Sequence, residues 1–162
     1  MALKASVGVG PEVVLGKSGA AVNTPADTSE DTLATINIPA NAMGANGVLR
    51  IYTLWSFTSS ANNKTLRIRF SGGAGTIYMN PVFTTSVGYS SLTMIMNRNA
   101  TNSQVGFASA GTNGGLGSSS ASANVTSSVD TTAATSLVIT GQKASAGETL
   151  TLESYLVELI PG

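Results

Sequence analysis

The stretch VLRIYTLWSF at residues 48–57 decides the fold, because its residues alternate between two faces with the period of a β-strand. The better core face carries Leu49, Ile51, Thr53, Trp55 and Phe57. The opposite face is also fairly apolar and carries Val48, Arg50, Tyr52, Leu54 and Ser56. A strand that is apolar on both faces is typical of the middle of a covered sheet. We therefore expect residues 48–57 to form a central strand that is covered on both sides.

A second alternating stretch, KTLRIRF at residues 64–70, follows after a short polar link. Its inward face carries Leu66, Ile68 and Phe70. Its outward face carries Arg67 and Arg69. Two strands joined by a short polar link predict a β-hairpin. We therefore expect residues 48–57 and 64–70 to pair with each other.

Further short runs of strand-forming residues follow along the chain, with turn residues between them. They span residues 32–38, 76–79, 82–85, 91–97, 104–108, 123–129, 136–140 and 150–159. In the run at 91–97, Leu92, Met94 and Met96 lie on one side. No run has the period of an amphipathic helix. About eight to ten strands with turns between them predict an all-β fold, an antiparallel β-sandwich that is jelly-roll-like.

The last predicted strand changes phase part of the way along. Leu150 and Leu152 hold one phase, whereas Tyr155, Val157 and Leu159 hold the other. This phase change has two explanations, a β-bulge or a strand that is apolar on both faces. In the second case one face would meet the core and the other a neighbouring subunit. The residues of that subunit interface would be Tyr155, Val157 and Leu159.

The composition of the first 31 residues predicts an N-terminal arm and linker ahead of a sandwich domain at residues 32–162. Residues 16–31 are polar, small and rich in turn formers. Residues 13–15 predict one short strand, which is either a docking segment or an edge strand of the same domain. A low-complexity loop at 111–122 would need outside contacts to become ordered.

Charge is distributed unevenly along a chain whose formal net charge is zero. All eight carboxylates lie in the two ends, and none occurs between residues 32 and 129. That middle window carries five positive charges, on Arg50, Lys64, Arg67, Arg69 and Arg98. We therefore expect the acidic ends to pair with the basic middle, either within one chain or between chains.

The residue types that carry most catalytic chemistry are missing. The chain has no histidine and no cysteine. Histidine is the commonest general acid or base near neutral pH, and both residues are common ligands of transition metals. A histidine-based triad is therefore excluded, and no two carboxylates have the pattern of a glycosidase site. We predict that the chain is not an enzyme and that it uses no cofactor and no metal.

Binding through an exposed surface stays open for this chain. Zero net charge disfavours nucleic acid as a partner, and no segment is long and apolar enough for a membrane helix. The N-terminus also lacks the apolar stretch of a secretory signal peptide. Lectin-like sandwiches combine tyrosine with polar or basic side chains, and the candidates here are Arg50, Arg67, Arg69, Tyr78, Tyr89 and Arg98. For each tyrosine the alternative is packing in the core with the hydroxyl at its rim.

Three stretches carry a family resemblance: ATINIPANAMGANGVLRIYTLWSFTSSANNKTLRIRF at residues 34–70, RNATNSQVGF at residues 98–107 and DTTAATSLVITGQKASAGETLTLESYLVEL at residues 130–159. They resemble small virion-associated proteins of tailed bacteriophages, of the tail-fibre, tailspike-accessory or head-fibre type. The resemblance implies a β-sandwich or jelly roll that is commonly a homotrimer. It also implies an N-terminal arm attached to the virion and a body exposed to the host surface. No binding or catalytic residue carries over from it.

We therefore expect a non-enzymatic phage structural protein, part of a tail or capsid appendage with an adhesive or architectural role. The expected partners are further copies of the chain, with a trimer favoured, other virion proteins and a host surface glycan. The protein would be made in the host cytoplasm and released by lysis in the virion. The alternatives are a capsid decoration protein, which would bind a capsid lattice, and a free carbohydrate-binding module, which would be a monomer.

Overall fold

The computed structural model describes residues 12–107 and 124–162, and the regular structure within them consists of β-strands alone. In chain order the strands are β1 (Val13–Ser18), β2 (Val22–Asn23), β3 (Glu30–Ile38), β4 (Val48–Phe57), β5 (Lys64–Phe70), β6 (Thr76–Met79), β7 (Val82–Phe83), β8 (Gly88–Asn97), β9 (Gln104–Phe107), β10 (Asn124–Ser127), β11 (Thr135–Lys143) and β12 (Leu150–Ile160). The predicted low-complexity loop at 111–122 lies outside the described residues, as do residues 1–11 of the predicted arm.

The strands form two antiparallel sheets that enclose one hydrophobic core. The larger sheet has seven strands in the order β1-β12-β4-β8-β9-β10, with β2 also paired to β12. The smaller sheet has five strands in the order β3-β11-β5-β6, with β7 also paired to β5. Among the described strands the chain changes sheets six times: between β2 and β3, β3 and β4, β4 and β5, β7 and β8, β10 and β11, and β11 and β12. This alternation is typical of a jelly roll, and it confirms the predicted all-β, jelly-roll-like sandwich.

Strand β4 has the bounds and the core face that its sequence predicts. Its buried side chains are Leu49, Ile51, Thr53, Trp55 and Phe57. The indole nitrogen of Trp55 donates a hydrogen bond of 2.7 Å to the hydroxyl of Thr53, so this buried donor is satisfied. β4 lies in the middle of the larger sheet, but its outer face is open in the single chain. Tyr52 and Leu54 are 39% and 47% exposed, so the prediction that both faces are covered is wrong for one chain.

The predicted hairpin between residues 48–57 and 64–70 is wrong, although both strands exist. β4 pairs with β12 and β8 in the larger sheet, whereas β5 pairs with β11, β6 and β7 in the smaller one. The link between β4 and β5 therefore crosses from one sheet to the other. The hairpin is instead formed by β5 and β6, around a turn in which Ser71 and Gly72 have φ values of 77° and 79°. Alternation identifies strands, but it carries no information about their partners.

The N-terminal segment that the structure describes belongs to the sandwich. β1 pairs with β12 as an edge strand, which is one of the two alternatives that residues 13–15 left open. β2 also pairs with β12, and β3 begins at Glu30. The predicted boundary after residue 31 therefore falls inside β3. β1 is an edge strand of the larger sheet and β3 is an edge strand of the smaller one.

A β-bulge explains the phase change in β12. Leu152 pairs with Trp55 of β4 and Ser154 pairs with Leu54, so Glu153 is the extra residue. The bulge lets the apolar residues on both sides of it face the core. Val157 and Leu159 are therefore buried, at 0% and 2% exposure, and their side chains do not reach a surface where a subunit could bind. The structure corrects this part of the predicted subunit interface.

Gly106 of β9 provides a test of the packing between the sheets. A Cβ atom at this position would lie 2.5 Å from the ring of Tyr78 and 2.6 Å from the backbone oxygen of Met94. We expect Gly106→Ala to lower the free energy of unfolding by about 1–3 kcal/mol, because the buried tyrosine and the backbone both resist movement. The matched control is Gly73→Ala, where a Cβ atom would meet nothing within 4 Å. Urea unfolding monitored by the fluorescence of Trp55 measures both, and equal effects would contradict the close packing at Gly106.

Candidate interaction surface

The outer face of the larger sheet is lined mainly by apolar side chains. The register of β12, β4 and β8 places these side chains in rows that run across the strands. The surface called the apolar face below consists of Val48, Tyr52, Leu54, Leu92, Met94, Met96, Leu156 and Ile160. Its central row joins Leu156, Tyr52 and Leu92, which are direct cross-strand neighbours. Each of these residues alternates along its strand with a residue of the core, so the apolar face is the second side of the same strands.

Several side chains of the apolar face are in contact with solvent. Leu54 and Leu92 are 47% and 45% exposed, and neither belongs to the core cluster. An open groove of about 520 Å³ lies beside them, and Tyr52 and Leu156 contribute to its lining. Ser90 and Ser154 complete one end of the groove, next to the bulge in β12. Monomeric proteins rarely expose a continuous apolar patch of this kind unless something binds there.

An ion cluster crosses the apolar face. Arg50 of β4 lies 3.2 Å from a carboxylate oxygen of Glu158 on β12, and its guanidinium also contacts Glu12. Cross-strand register places Glu158 between Arg50 and Val14 of β1. The Arg50 side chain remains 30% exposed, so the cluster is open to solvent on its outer side. The apolar face therefore carries both signs of charge at one place.

The outer face of the smaller sheet carries a second ion cluster. Glu30 accepts two hydrogen bonds of 2.8 Å from the guanidinium of Arg69 and lies 3.0 Å from that of Arg67. The hydroxyl of Thr140 donates a further bond of 2.6 Å. The hydrogen bonds from Arg69 are the largest cause that holds the pKa of Glu30 below its usual value. The two hydrogen bonds from Arg69 to Glu30 tie β5 to β3. Because they occupy one edge of the guanidinium, the cluster offers little to an external anion.

A third ion pair lies at one end of the sandwich, where Lys64 continues the inward phase of β5. Lys64 is fully buried; its ammonium lies 3.6 Å from Glu148 and 2.9 Å from the hydroxyl of Ser60. Glu148 also accepts a hydrogen bond of 2.7 Å from Asn62. Hydrogen bonds from Ser60 and Asn62 are the main causes that lower the pKa of Glu148. The cluster fixes the link between β4 and β5 against the turn that precedes β12.

Together these clusters confirm that the acidic ends pair with the basic middle, and they do so within one chain. The pairs are Arg50 with Glu12 and Glu158, Lys64 with Glu148, and Arg67 and Arg69 with Glu30. Arg98 lies exposed in the turn after β8.

The candidate surface-binding residues do not form one site. Arg50 lies on the larger sheet, whereas Arg67 and Arg69 lie on the smaller sheet, so the three arginines face opposite sides of the sandwich. Tyr78 is buried, and its hydroxyl makes a hydrogen bond of 2.7 Å with that of Ser127. This burial raises the pKa of Tyr78. The structure thus corrects the prediction of Tyr78 as a surface ligand.

Tyr89 is only partly exposed, because it packs against a core aromatic ring. Its ring centre lies 4.6 Å from that of Phe83, and the two rings are tilted by 45°. Tyr155, the third residue of the predicted subunit interface, is also partly buried against the core. Tyr89 therefore follows in part the alternative of packing against the core.

Two features of the sequence belong to the apolar face, but neither of them identified it as an exposed surface. The second face of residues 48–57 is fairly apolar, and the run at 91–97 places three apolar side chains on one side. Leu156 gave no signal, because the bulge at Glu153 changes which residues of β12 face outward. Only the pairing of β12, β4 and β8 brings these three sets of residues together.

Over residues 12–107 and 124–162, no three side chains of His, Cys, Asp or Glu are grouped so that they could hold a metal ion. The same ranges contain no helix that is long and apolar enough to cross a membrane.

Comparison with known proteins identifies no family. No family model and no curated protein matches the chain. Among solved structures, it is similar to the VP2 subviral particle of infectious bursal disease virus, with 14% identity, a TM-score of 0.40, and coverage of 94% of this chain and 32% of that chain. The structures of the Gx and Gt strains of that virus have 11% and 13% identity and TM-scores of 0.30; they cover 94% and 93% of this chain, and 40% and 39% of their own. The chain thus spans less than half of each, and likeness at these TM-scores carries no argument about function.

The ion cluster at Glu30 predicts a pH-dependent contribution to stability. We expect Glu30→Gln to lower the free energy of unfolding at pH 7 by roughly 1 kcal/mol, a small value because solvent screens a partly exposed pair. The pKa of Glu30 is lowered in the folded state. Its contribution is therefore complete above the ordinary carboxyl pKa of about 4.3 and is lost as the pH falls through the folded value.

Urea unfolding between about pH 7 and pH 2 measures this difference, which should shrink steadily in the acid range. The control is Asp27→Asn, because Asp27 is exposed and accepts a hydrogen bond from the amide of Ser29, which an asparagine oxygen can also accept. A difference between the parent chain and Glu30→Gln that stays constant in acid would contradict the ion-pair explanation.

Proposed function

We propose that this chain is a non-enzymatic structural protein of a virion, an architectural or adhesive unit of a tail or capsid appendage. The observation that carries the proposal is the apolar face on the rigid, seven-stranded sheet. A sheet that is hydrogen-bonded on both sides of β4 cannot fold this face inward, so a binding partner is the physical means of covering it. An assembly of many subunits supplies such partners.

The chemistry of the rest of the chain supports an assembly role over a catalytic one. The chain contains no histidine and no cysteine. Charged side chains such as Glu30, Arg69 and Lys64 are engaged in pairs that hold strands and loops together. The resemblance of residues 34–70, 98–107 and 130–159 to virion-associated proteins of tailed bacteriophages favours a phage virion. Many copies on one particle would turn weak contacts with a host surface glycan into durable attachment.

The two alternative functions differ in how well the structure agrees with them. A capsid decoration protein would use the same apolar face, with the capsid as its partner. A free carbohydrate-binding module would need an exposed aromatic platform, and the burial of Tyr78 with the packing of Tyr89 on Phe83 removes the predicted one. We therefore keep the virion appendage as the proposal.

The test is to ask whether the chain is part of a particle. Particles released by lysis from cells that carry the native genome are purified by density gradient, and the chain is quantified by mass spectrometry against the major shell protein. We expect the chain to sediment with the particles at a fixed copy number. Recovery only in the soluble fraction would contradict the proposal. Binding of the purified particles through this chain to host cells or surface polysaccharide would favour the adhesive appendage over the capsid decoration protein, which binds only the capsid lattice.

A further inference from the structure

We propose that the partner that covers the apolar face is a second copy of this chain, seated on the row formed by Leu156, Tyr52 and Leu92. This inference deepens the proposed function, on which it rests, because it names the partner of the same surface. It also moves the predicted subunit contact away from Val157 and Leu159, which are core residues, to the opposite side of the same strand.

The size of the face agrees with a contact between copies. The apolar face occupies the middle three of five adjacent strands, β1-β12-β4-β8-β9. With strands about 4.8 Å apart and rows of same-face residues about 6.6 Å apart, the outer side of these five strands measures roughly 25 Å in each direction. Its projected area of roughly 600 Å² approaches the ~800 Å² per partner of a standard interface, before the relief of the side chains is counted.

The arrangement of polar groups also agrees with a contact between copies. The row of Leu156, Tyr52 and Leu92 is apolar and has polar groups around it. Ser90 and Ser154 lie in the row on one side, the Arg50–Glu158 pair lies in the row on the other, and Lys17 lies on the neighbouring edge strand β1. An apolar centre with a polar rim is the usual anatomy of an interface between proteins. Neither nucleic acid nor an anionic membrane fits such a centre, since both would need a surface dominated by basic side chains.

The ion cluster makes the face compatible with itself. A face of one sign would repel a second copy of the same chain. Here Arg50 stands beside two carboxylates, those of Glu12 and Glu158. Two copies can therefore meet with Arg50 of one near the carboxylates of the other, so like charges need not be brought together.

The experiment compares oligomeric mass in solution for the full chain and three variants. Leu54→Asp and Leu92→Asp each place a carboxylate on the apolar face, at positions 47% and 45% exposed in the single chain. The matched control is Val82→Asp, which alters an apolar residue of β7, on the smaller sheet, that is 38% exposed. Light scattering after size exclusion gives the mass, and circular dichroism with a thermal melt confirms that each variant folds.

We expect the parent chain to form a closed oligomer at micromolar concentration, a two-fold dimer if the apolar faces of two copies pack on each other. Leu54→Asp and Leu92→Asp should remain folded and raise the dissociation constant about a hundredfold or more, because each would bury an unpaired charge. Val82→Asp should leave the mass unchanged. At a concentration of about 100 μM even a weak contact between copies would be populated. A parent chain that is still monomeric there overturns the inference. So does an oligomer that both apolar-face variants leave intact.

The inference and the proposed function can fail separately. A monomeric parent chain that still enters particles, and is lost from them with Leu54→Asp, overturns the second copy as partner but supports the virion role. An oligomer that Leu54→Asp dissociates, but that is absent from purified particles, supports the second copy and overturns the virion role.

Discussion

The pairing of β12 with β4, with its bulge at Glu153, is the constraint on which the rest of the structure depends. β12 joins β1 and β2 on one side to β4 on the other, so it connects the N-terminal segment to the centre of the larger sheet. A one-residue change of phase moves every later side chain to the other face of a strand. Without the bulge, either Leu152 or Val157 would leave the core.

The charge distribution follows the same long-range connections. β1 brings Glu12 near Arg50, and β3 brings Glu30 to Arg67 and Arg69 across the smaller sheet. Ion pairs of this kind contribute little stability each when they are exposed. Here the ion pairs help to align the strands with one another, because each pair links an end of the chain to a strand of its middle. The charges are therefore largely used inside the molecule.

This internal use of charge leaves the apolar face as the surface best suited to a partner. Its side chains belong to strands whose other side forms the core, so the backbone of the face is held in the same hydrogen-bonded sheet. Rigid surfaces lose little conformational entropy when they bind. A rigid apolar face with both signs of charge at one place fits an assembling structural protein, which is the basis of the proposals above.

Much of the local structure could be predicted from the sequence, since alternation of side chains is a local property. The bounds of β4 and β5, their inward residues and the phase change at Glu153 all follow from it. The uneven distribution of charge along the chain separately predicted the pairing of acidic ends with a basic middle.

Only the tertiary structure decided which strands are neighbours. That decision separated β4 from β5, buried Tyr78 and placed Leu54, Leu92 and Leu156 side by side. The physical reason is that an apolar strand face is satisfied equally well by a core or by another subunit. The sequence pattern is the same in both cases, and the choice between them depends on contacts between residues far apart in the chain.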